Sequence, residues 1–258
     1  MKAKILPALL VALLPFGAVS TLASAQEAAE FTADRPGATT GPSVLPRGRV
    51  QLETGFAWER SALEGPWATT WTVNTSMLRW GFSDAAELRL QANYLISEGE
   101  EGRQFGFDSV IFGTKARLYE GNGILPEMAL MANILVPGRK GSAFLSEHWG
   151  GQIALLCENE LAPWCSLGYE ADLIWKGDRR PEIFFGAGLG FQPWERFAFQ
   201  IEEFNIGAGE GLQCWSELSC AWQVSPRVQL DLATDICLTA PERYAILMFG
   251  VSWQITKR

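Results

Sequence analysis

The chain has 258 residues, including 11 Trp, 15 Phe and 26 Gly, with a formal net charge of −8 and a mean hydropathy of +0.04. An acidic balance without a basic stripe excludes nucleic acid as a partner, because phosphate binding needs clustered Lys and Arg. After the first 25 residues no apolar run reaches the roughly eighteen residues a membrane helix needs, so any later crossing has to be made by strands.

Lys2 and Lys4, the apolar run from Ile5 to Val19 and the small residues Ala23-Ser24-Ala25 read as a signal peptide over residues 1–25, removed on secretion. Cleavage would make Gln26 the first mature residue and the chain two charges more acidic. Position 26 is not Cys, so no lipid is expected there, and Pro7 and Pro15 break the run, as suits a leader and not an anchor. Residues 26–47 carry Pro36, Pro42 and Pro46 and show no alternation. They form a tail that either hangs in the periplasm or folds into the domain that follows. In the second case Asp34 and Arg35 would plug it by pairing with inward charges.

Residues 48–258 are expected to form that domain. Its dominant signal is a period of two, which sends successive side chains to opposite faces of a strand. In Val50–Trp58 the even positions are mostly apolar and the odd ones polar or small; Leu88, Leu90, Ala92 and Tyr94 alternate with Glu87, Arg89, Gln91 and Asn93. Strands are expected near 49–60, 67–80, 85–96, 107–118, 125–136, 147–158, 164–175, 182–192, 196–206, 212–224, 227–238 and 243–255. Twelve strands with one apolar and one polar face describe an all-β, antiparallel transmembrane barrel of the Gram-negative outer-membrane type. The turns at Gly81–Asp84, Pro193–Glu195 and Ser225–Pro226 would be periplasmic, and the longer segments Ser97–Gly106 and Pro137–Ser146 would be outer loops.

Indole rings favour membrane–water interfaces, where the ring is half buried and its N–H stays wet. The strand directions place Trp58, Trp67, Trp149, Trp175 and Trp215 at the outer interface, joined by Tyr94 and Tyr244. Trp80, Trp164, Trp194, Trp222 and Trp253, with Tyr119, fall at the periplasmic one, and Trp71 alone lies well inside a strand.

The face opposite the apolar one carries Glu53, Arg89, Lys115, Arg117, Glu170, Asp172, Glu202, Glu217, Asp231 and Asp235. Acids dominate it, which points either to a polar path favouring cations and neutral solutes or to a salt-bridged filling. Twelve strands fall between small filled barrels and large open ones. Gly186, Gly188 and Gly190 leave one strand face bare, making room for solute, curvature or a packed neighbour such as the tail.

Of the five cysteines, Cys157 and Cys165 end consecutive strands. Aligning Ile153 with Tyr169 and Leu155 with Leu167 would set them opposite each other for a disulfide in the oxidising periplasm; the alternative is two small apolar side chains facing lipid. Cys214 and Cys220 share a strand and are too far apart to bond. The single histidine, His148, adjoins Glu147 and Ser146, but neighbours on a strand point to opposite faces and make a poor triad. No catalysis is expected, and neither a metal site nor any other cofactor.

The residues Asp34-Arg35-Pro36, Pro42-Ser43, Pro46-x-Gly48 and Gln51-Leu52-Glu53-x-Gly55 resemble the family called putative MetA-pathway of phenol degradation. The likeness continues through Leu78-Arg79-Trp80-Gly81-Phe82-Ser83-Asp84, Glu87-Leu88-Arg89-Leu90, Gly113-Thr114-Lys115-Ala116-Arg117-Leu118 and Gln229-Leu230-Asp231-Leu232. The resemblance implies an outer-membrane transporter through which small organic molecules, aromatic ones included, pass passively. A closed barrel with a structural or adhesive role is the alternative, with loops such as Ser97–Gly106 contacting partners; a hydrolase acting at His148 ranks below both. The expected partners are outer-membrane lipid, small organic solutes and the barrel-assembly machinery. Many such barrels end in an aromatic residue that this machinery reads. Here the end is Trp253-Gln254-Ile255-Thr256-Lys257-Arg258, so Trp253 and Ile255 would carry the signal.

Overall fold

The computed structural model describes residues 31–256 apart from 64–65, 101, 123, 178–179 and 209–210. The leader expected at 1–25, and the first residues of the tail, lie outside the described residues.

The chain forms twelve strands: β1 (Val50–Ser61), β2 (Ala68–Ser83), β3 (Ala86–Gly99), β4 (Gly102–Glu120), β5 (Glu127–Leu135), β6 (Gly150–Ala162), β7 (Cys165–Trp175), β8 (Glu182–Trp194), β9 (Phe197–Ala208), β10 (Gly211–Ser225), β11 (Val228–Cys237) and β12 (Tyr244–Gln254). Each pairs antiparallel with its neighbours in sequence, and β1 closes on β12 with Gln51 opposite Gln254 and Ser61 opposite Tyr244. Closure leaves no sheet edge, so each strand's backbone groups are met by the two strands beside it, which hydrocarbon requires. An even strand number puts both ends of the barrel on one side, that of the tight β2–β3, β6–β7, β8–β9 and β10–β11 turns, which in outer-membrane barrels faces the periplasm.

The alternation has a physical reading in β12. Leu247, Phe249, Val251 and Trp253 are exposed on the outside, while Gly250, Ser252 and Gln254 between them are buried. Around the barrel the exposed surface carries Phe56, Leu88, Leu90, Phe112, Ile153, Leu173, Ile201 and Leu232, and the buried polar residues include Glu53, Arg79, Glu87, Lys115, Glu170, Glu202 and Glu217. In water such a skin would drive aggregation; in a bilayer it is the solvated face.

Three of the differences from the expected hairpins matter here. β3 runs to Gly99 and β4 starts at Gly102, so the long outer loop expected over Ser97–Gly106 is mostly strand. β2 extends to Ser83. β6 extends to Ala162 and turns through Pro163 and Trp164 into β7, which moves the register by four residues: Ile153 faces Leu173 and Leu155 faces Ala171. An even shift leaves every side chain on its expected face, because the strand period is two.

That shift overturns the expected disulfide. Cys157 lies opposite Tyr169 and Cys165 opposite Ala162, five positions apart on β6, or about 16 Å of strand, well beyond disulfide reach. All five cysteines are free. A thiol titration of the denatured, unreduced protein is expected to give five thiols; three would restore one disulfide.

The chain enters β1 through a turn at the periplasmic rim, where the amide of Arg49 donates to the Pro46 carbonyl and that of Gly48 to the Gly81 carbonyl. Gly48 takes φ +78°, a conformation open to a residue without Cβ. Before this turn, the described part of the tail runs inside the barrel, held to inward side chains of β1, β2, β3, β4, β7, β9 and β11.

Candidate functional site

The lumen is built from inward side chains and the tail together. On its periplasmic side the register sets Arg79 of β2 beside Arg89 of β3, and Glu87 of β3 beside Lys115 of β4. Arg79 is fully buried and forks between two strands: Nε and Nη2 donate to the two Glu87 carboxylate oxygens, each at 2.9 Å, and Nη1 donates to Glu53 Oε1 at 2.7 Å. Arg89 Nη1 bonds Glu87 at 3.0 Å. Asp34 enters from the tail between all three cations. Its carboxylate accepts from Lys115 Nζ at 2.8 Å, pairs with Arg79 Nη1 at 3.3 Å and also bonds Arg89 Nη1. Three cations thus face three anions, Asp34, Glu53 and Glu87, and the tail supplies the third.

This pairing is what makes the burial tolerable, since an unmatched ion in such surroundings costs several kcal/mol. Burial alone would raise the Asp34 carboxyl, but the surrounding Arg79, Lys115 and Arg89 outweigh it and hold the group well below its ordinary value of 3.8. The Asp34 contribution is therefore fully present above that value and is lost only as pH falls well below it. Tail backbone reinforces the knot: the Asp34 amide donates to Glu53 at 3.2 Å, the Leu45 amide to Glu87 at 2.8 Å, and Gln51 Nε2 and Lys115 Nζ donate to the Thr32 and Gly41 carbonyls.

A second set of anchors lies across the lumen. Arg35 reaches Asp231 through Nη2 at 3.0 Å and Nε at 3.4 Å, and Thr75 through Nη1 at 3.2 Å; Gln229 donates to its carbonyl at 2.6 Å. Room for the guanidinium exists because positions 55 and 250 are Gly: a Cβ at either would collide with it. The amides of Ala38 and Thr39 donate to Glu202 at 2.7 and 3.2 Å, the Thr39 hydroxyl bonds the same carboxylate, and the Thr40 amide donates to Glu170. Of the bare glycine face on β8, Gly186 is where Thr39 packs, beside Phe184, while Gly188 accommodates Glu202.

Outward of the tail, Glu217 and Asp235 stand opposite each other on β10 and β11; one oxygen of each has no hydrogen-bond partner among the described residues. Asp172 accepts from Gln152, which is bonded in turn by Asn133. Phe184, Phe204, Trp215 and Cys237 form a buried inward cluster, against which Ala38, Leu63 and Tyr244 pack. Between this cluster and the outer mouth lies a cavity of about 620 Å³.

Of the expected lumen residues, Glu53, Arg89, Lys115, Glu170, Asp172, Glu202, Glu217 and Asp231 are buried inside, and Asp235 faces Glu217. Arg117 stands at the periplasmic rim, bonding the Asp84 carbonyl and Glu120. Trp215 departs from its expected place. Expected in the outer girdle, it is only 7% exposed and faces the lumen, on the same side of β10 as Glu217 and Ser219; Tyr244 packs there with it. Trp58, Trp67, Trp149 and Trp175 are exposed toward the outer end, and Trp80, Trp164, Trp194, Trp222 and Trp253 toward the periplasmic end. His148 is exposed in the connection between β5 and β6. Among the described residues no group of three or more His, Cys, Asp or Glu is placed to hold a metal. Arg79 and Glu87, at the centre of the charge knot, were not among the expected lumen residues, although each sits between outward apolar neighbours and the strand period alone would have found them.

A closed antiparallel barrel with an apolar skin and a charged lumen is an integral outer-membrane β-barrel. The profile of the family described as Putative MetA-pathway of phenol degradation matches residues 33–185, and the chain belongs to that family. Among solved structures it is similar to the COG4313 outer membrane channel from Pseudomonas putida F1, at 12% identity over 85% of this chain and 99% of that one, with a TM-score of 0.61. It is also similar to the NanC porin, at 8% identity over 79% of this chain and 100% of that one (TM-score 0.56). A third is the beta domain of the Bordetella autotransporter BrkA, at 12% over 82% and 100% (TM-score 0.54). These likenesses concern architecture. No curated protein matches the chain in sequence.

Replacing Arg79 with Ala strands Glu53 and Glu87 without their shared cation. The expected cost is about 3–5 kcal/mol, read as a lower urea midpoint for unfolding in lipid vesicles. A change below about 1 kcal/mol, the range of an exposed pair, would contradict the knot's central role.

Proposed function

We propose that the protein is a passive outer-membrane channel for small organic molecules, and that the tail, residues 26–47, sets its bore. The observation that carries this reading is the filling of the lumen: the obstruction is a stretch of chain outside the strands, held by hydrogen bonds, ion pairs and side-chain packing, so it can be withdrawn without breaking the wall. Family membership and the barrel architecture support the same reading. Nothing in it requires catalysis.

The lumen charges divide the labour. Arg79, Arg89, Lys115, Glu53 and Glu87 hold Asp34 and seat the periplasmic part of the tail, whereas Glu170, Glu202, Glu217, Asp231 and Asp235 line the rest and disfavour anions. In this reading the leader at 1–25 takes the chain to the periplasm, Trp253 and Ile255 present its end to the barrel-assembly machinery, and the two tryptophan belts sit in the lipid interfaces.

Planar-bilayer recording tests the proposal. Removal of residues 26–47 is expected to raise single-channel conductance several-fold over the mature protein, with folding checked by heat-modifiable migration on gels. A folded deletion protein with no conductance above background would favour the closed structural barrel instead. Gly250→Leu provides an independent approach: the new side chain occupies the place of the Arg35 guanidinium and is expected to raise conductance to a lesser extent. An unchanged value would argue that Arg35 does not hold the tail.

A further inference from the structure

The inward face of this barrel is dominated by Glu, Asp, Arg and Gln, and against that background four aromatic rings in a row need a reason. Tyr244 of β12 meets Trp215 of β10 edge to face at 4.5 Å; Trp215 stacks on Phe204 of β9 at 5.9 Å with ring planes 3° apart; Phe204 lies 5.8 Å from Phe184 of β8. The row starts at the outer cavity, which Trp215 and Tyr244 line, and its inner members pack in the same cluster as Ala38 of the tail. It joins the mouth of the barrel to the obstruction.

The cavity's chemistry is specific. Its volume of about 620 Å³ falls within the usual range for small-molecule sites. Ala62 and Leu63 from the β1–β2 connection face it with the two rings, and Gln104 and Gln213 supply neutral polar groups. Its charged lining consists of Glu59 and Glu100, with no Lys or Arg among the described lining residues. The indole Nε1 of Trp215 is buried and has no hydrogen-bond partner among the described residues. An unmet buried donor is uncommon and marks a place where a partner is missing.

Resting on the channel reading above, we propose that this outer cavity is a recognition site for neutral, planar aromatic solutes of one or two rings that carry an acceptor oxygen. The ring packs against Trp215 and Tyr244, and the oxygen meets the indole N–H. Glu100 in the lining repels an aromatic carboxylate of the same shape. Phe204 and Phe184 then offer successive apolar contacts leading inward as the tail gives way, so the site feeds the bore.

Binding can be read without flux. The full mature protein in detergent micelles is titrated with benzyl alcohol, cyclohexylmethanol and benzoate by saturation-transfer NMR and calorimetry. Benzyl alcohol is expected to bind saturably and more tightly than either of the others. Trp215→Leu should weaken it about tenfold, the scale of one lost aromatic contact, while Trp164→Leu on the exterior should not change it. Equal affinity in Trp215→Leu and the parent protein would overturn the proposal, as would benzoate or cyclohexylmethanol binding as tightly as benzyl alcohol. If Trp215→Leu does not fold, Ala62→Trp, which fills the cavity from its rim, is expected to cause the same loss; retained binding there also overturns it. Trp215-dependent binding without conductance would count against the channel alone, and conductance without such binding against this site alone.

Discussion

Inside a bilayer a backbone amide has no water to turn to, and the rest of this structure depends on that constraint. Each strand must find two partners, so the sheet must close, and a closed antiparallel sheet sorts its side chains into an outer and an inner set. The apolar set goes to lipid, leaving Glu, Asp, Arg and Lys to share a narrow interior. The burial pattern of an ordinary globular protein is thereby inverted. Packing a core becomes the task of matching charges, which is why fully buried residues such as Arg79, Lys115, Glu53 and Glu87 replace the leucines and valines of a soluble domain.

The barrel wall does not solve that task alone. At the periplasmic side its own inward charges are Arg79, Arg89 and Lys115 against Glu53 and Glu87, one cation in excess, and Asp34 supplies the missing anion. Across the lumen the imbalance is reversed: Asp231, Glu202 and Glu170 wait for donors, and the tail answers with the Arg35 guanidinium and the amides of Ala38, Thr39 and Thr40. Adjacent residues of opposite sign therefore fit opposite walls. The complementarity fixes the tail's placement.

Glycine and aromatic positions complete the division of space. Gly55 and Gly250 make a hollow for one guanidinium and Gly186 admits Thr39, so the wall is thinned where the tail touches it. Where the tail ends its contact, Phe184, Phe204, Trp215 and Tyr244 take over, and the lumen changes from ionic to aromatic toward its outer mouth.

The period of two is local, and so the sequence by itself determined the number of strands, the face of nearly every residue and the all-β barrel class. The same parity puts Arg79 and Glu87 inside, and Trp215 with them, since Trp215 shares the face of Glu217 and the general preference of indole for interfaces does not override that alternation. Register and pairing are not local. A hairpin four residues longer than its hydrophobic pattern suggests keeps every face and yet separates Cys157 from Cys165, because only the turn and the neighbouring strands fix how two strands slide. The tail shows this most fully. Asp34 and Arg35 were visible as charges in a strandless segment, but that they stand between particular walls, with Lys115 on one side and Asp231 on the other, follows from closing the sheet. Closure brings residues nearly two hundred positions apart to within a hydrogen bond, and no pattern along the chain encodes that.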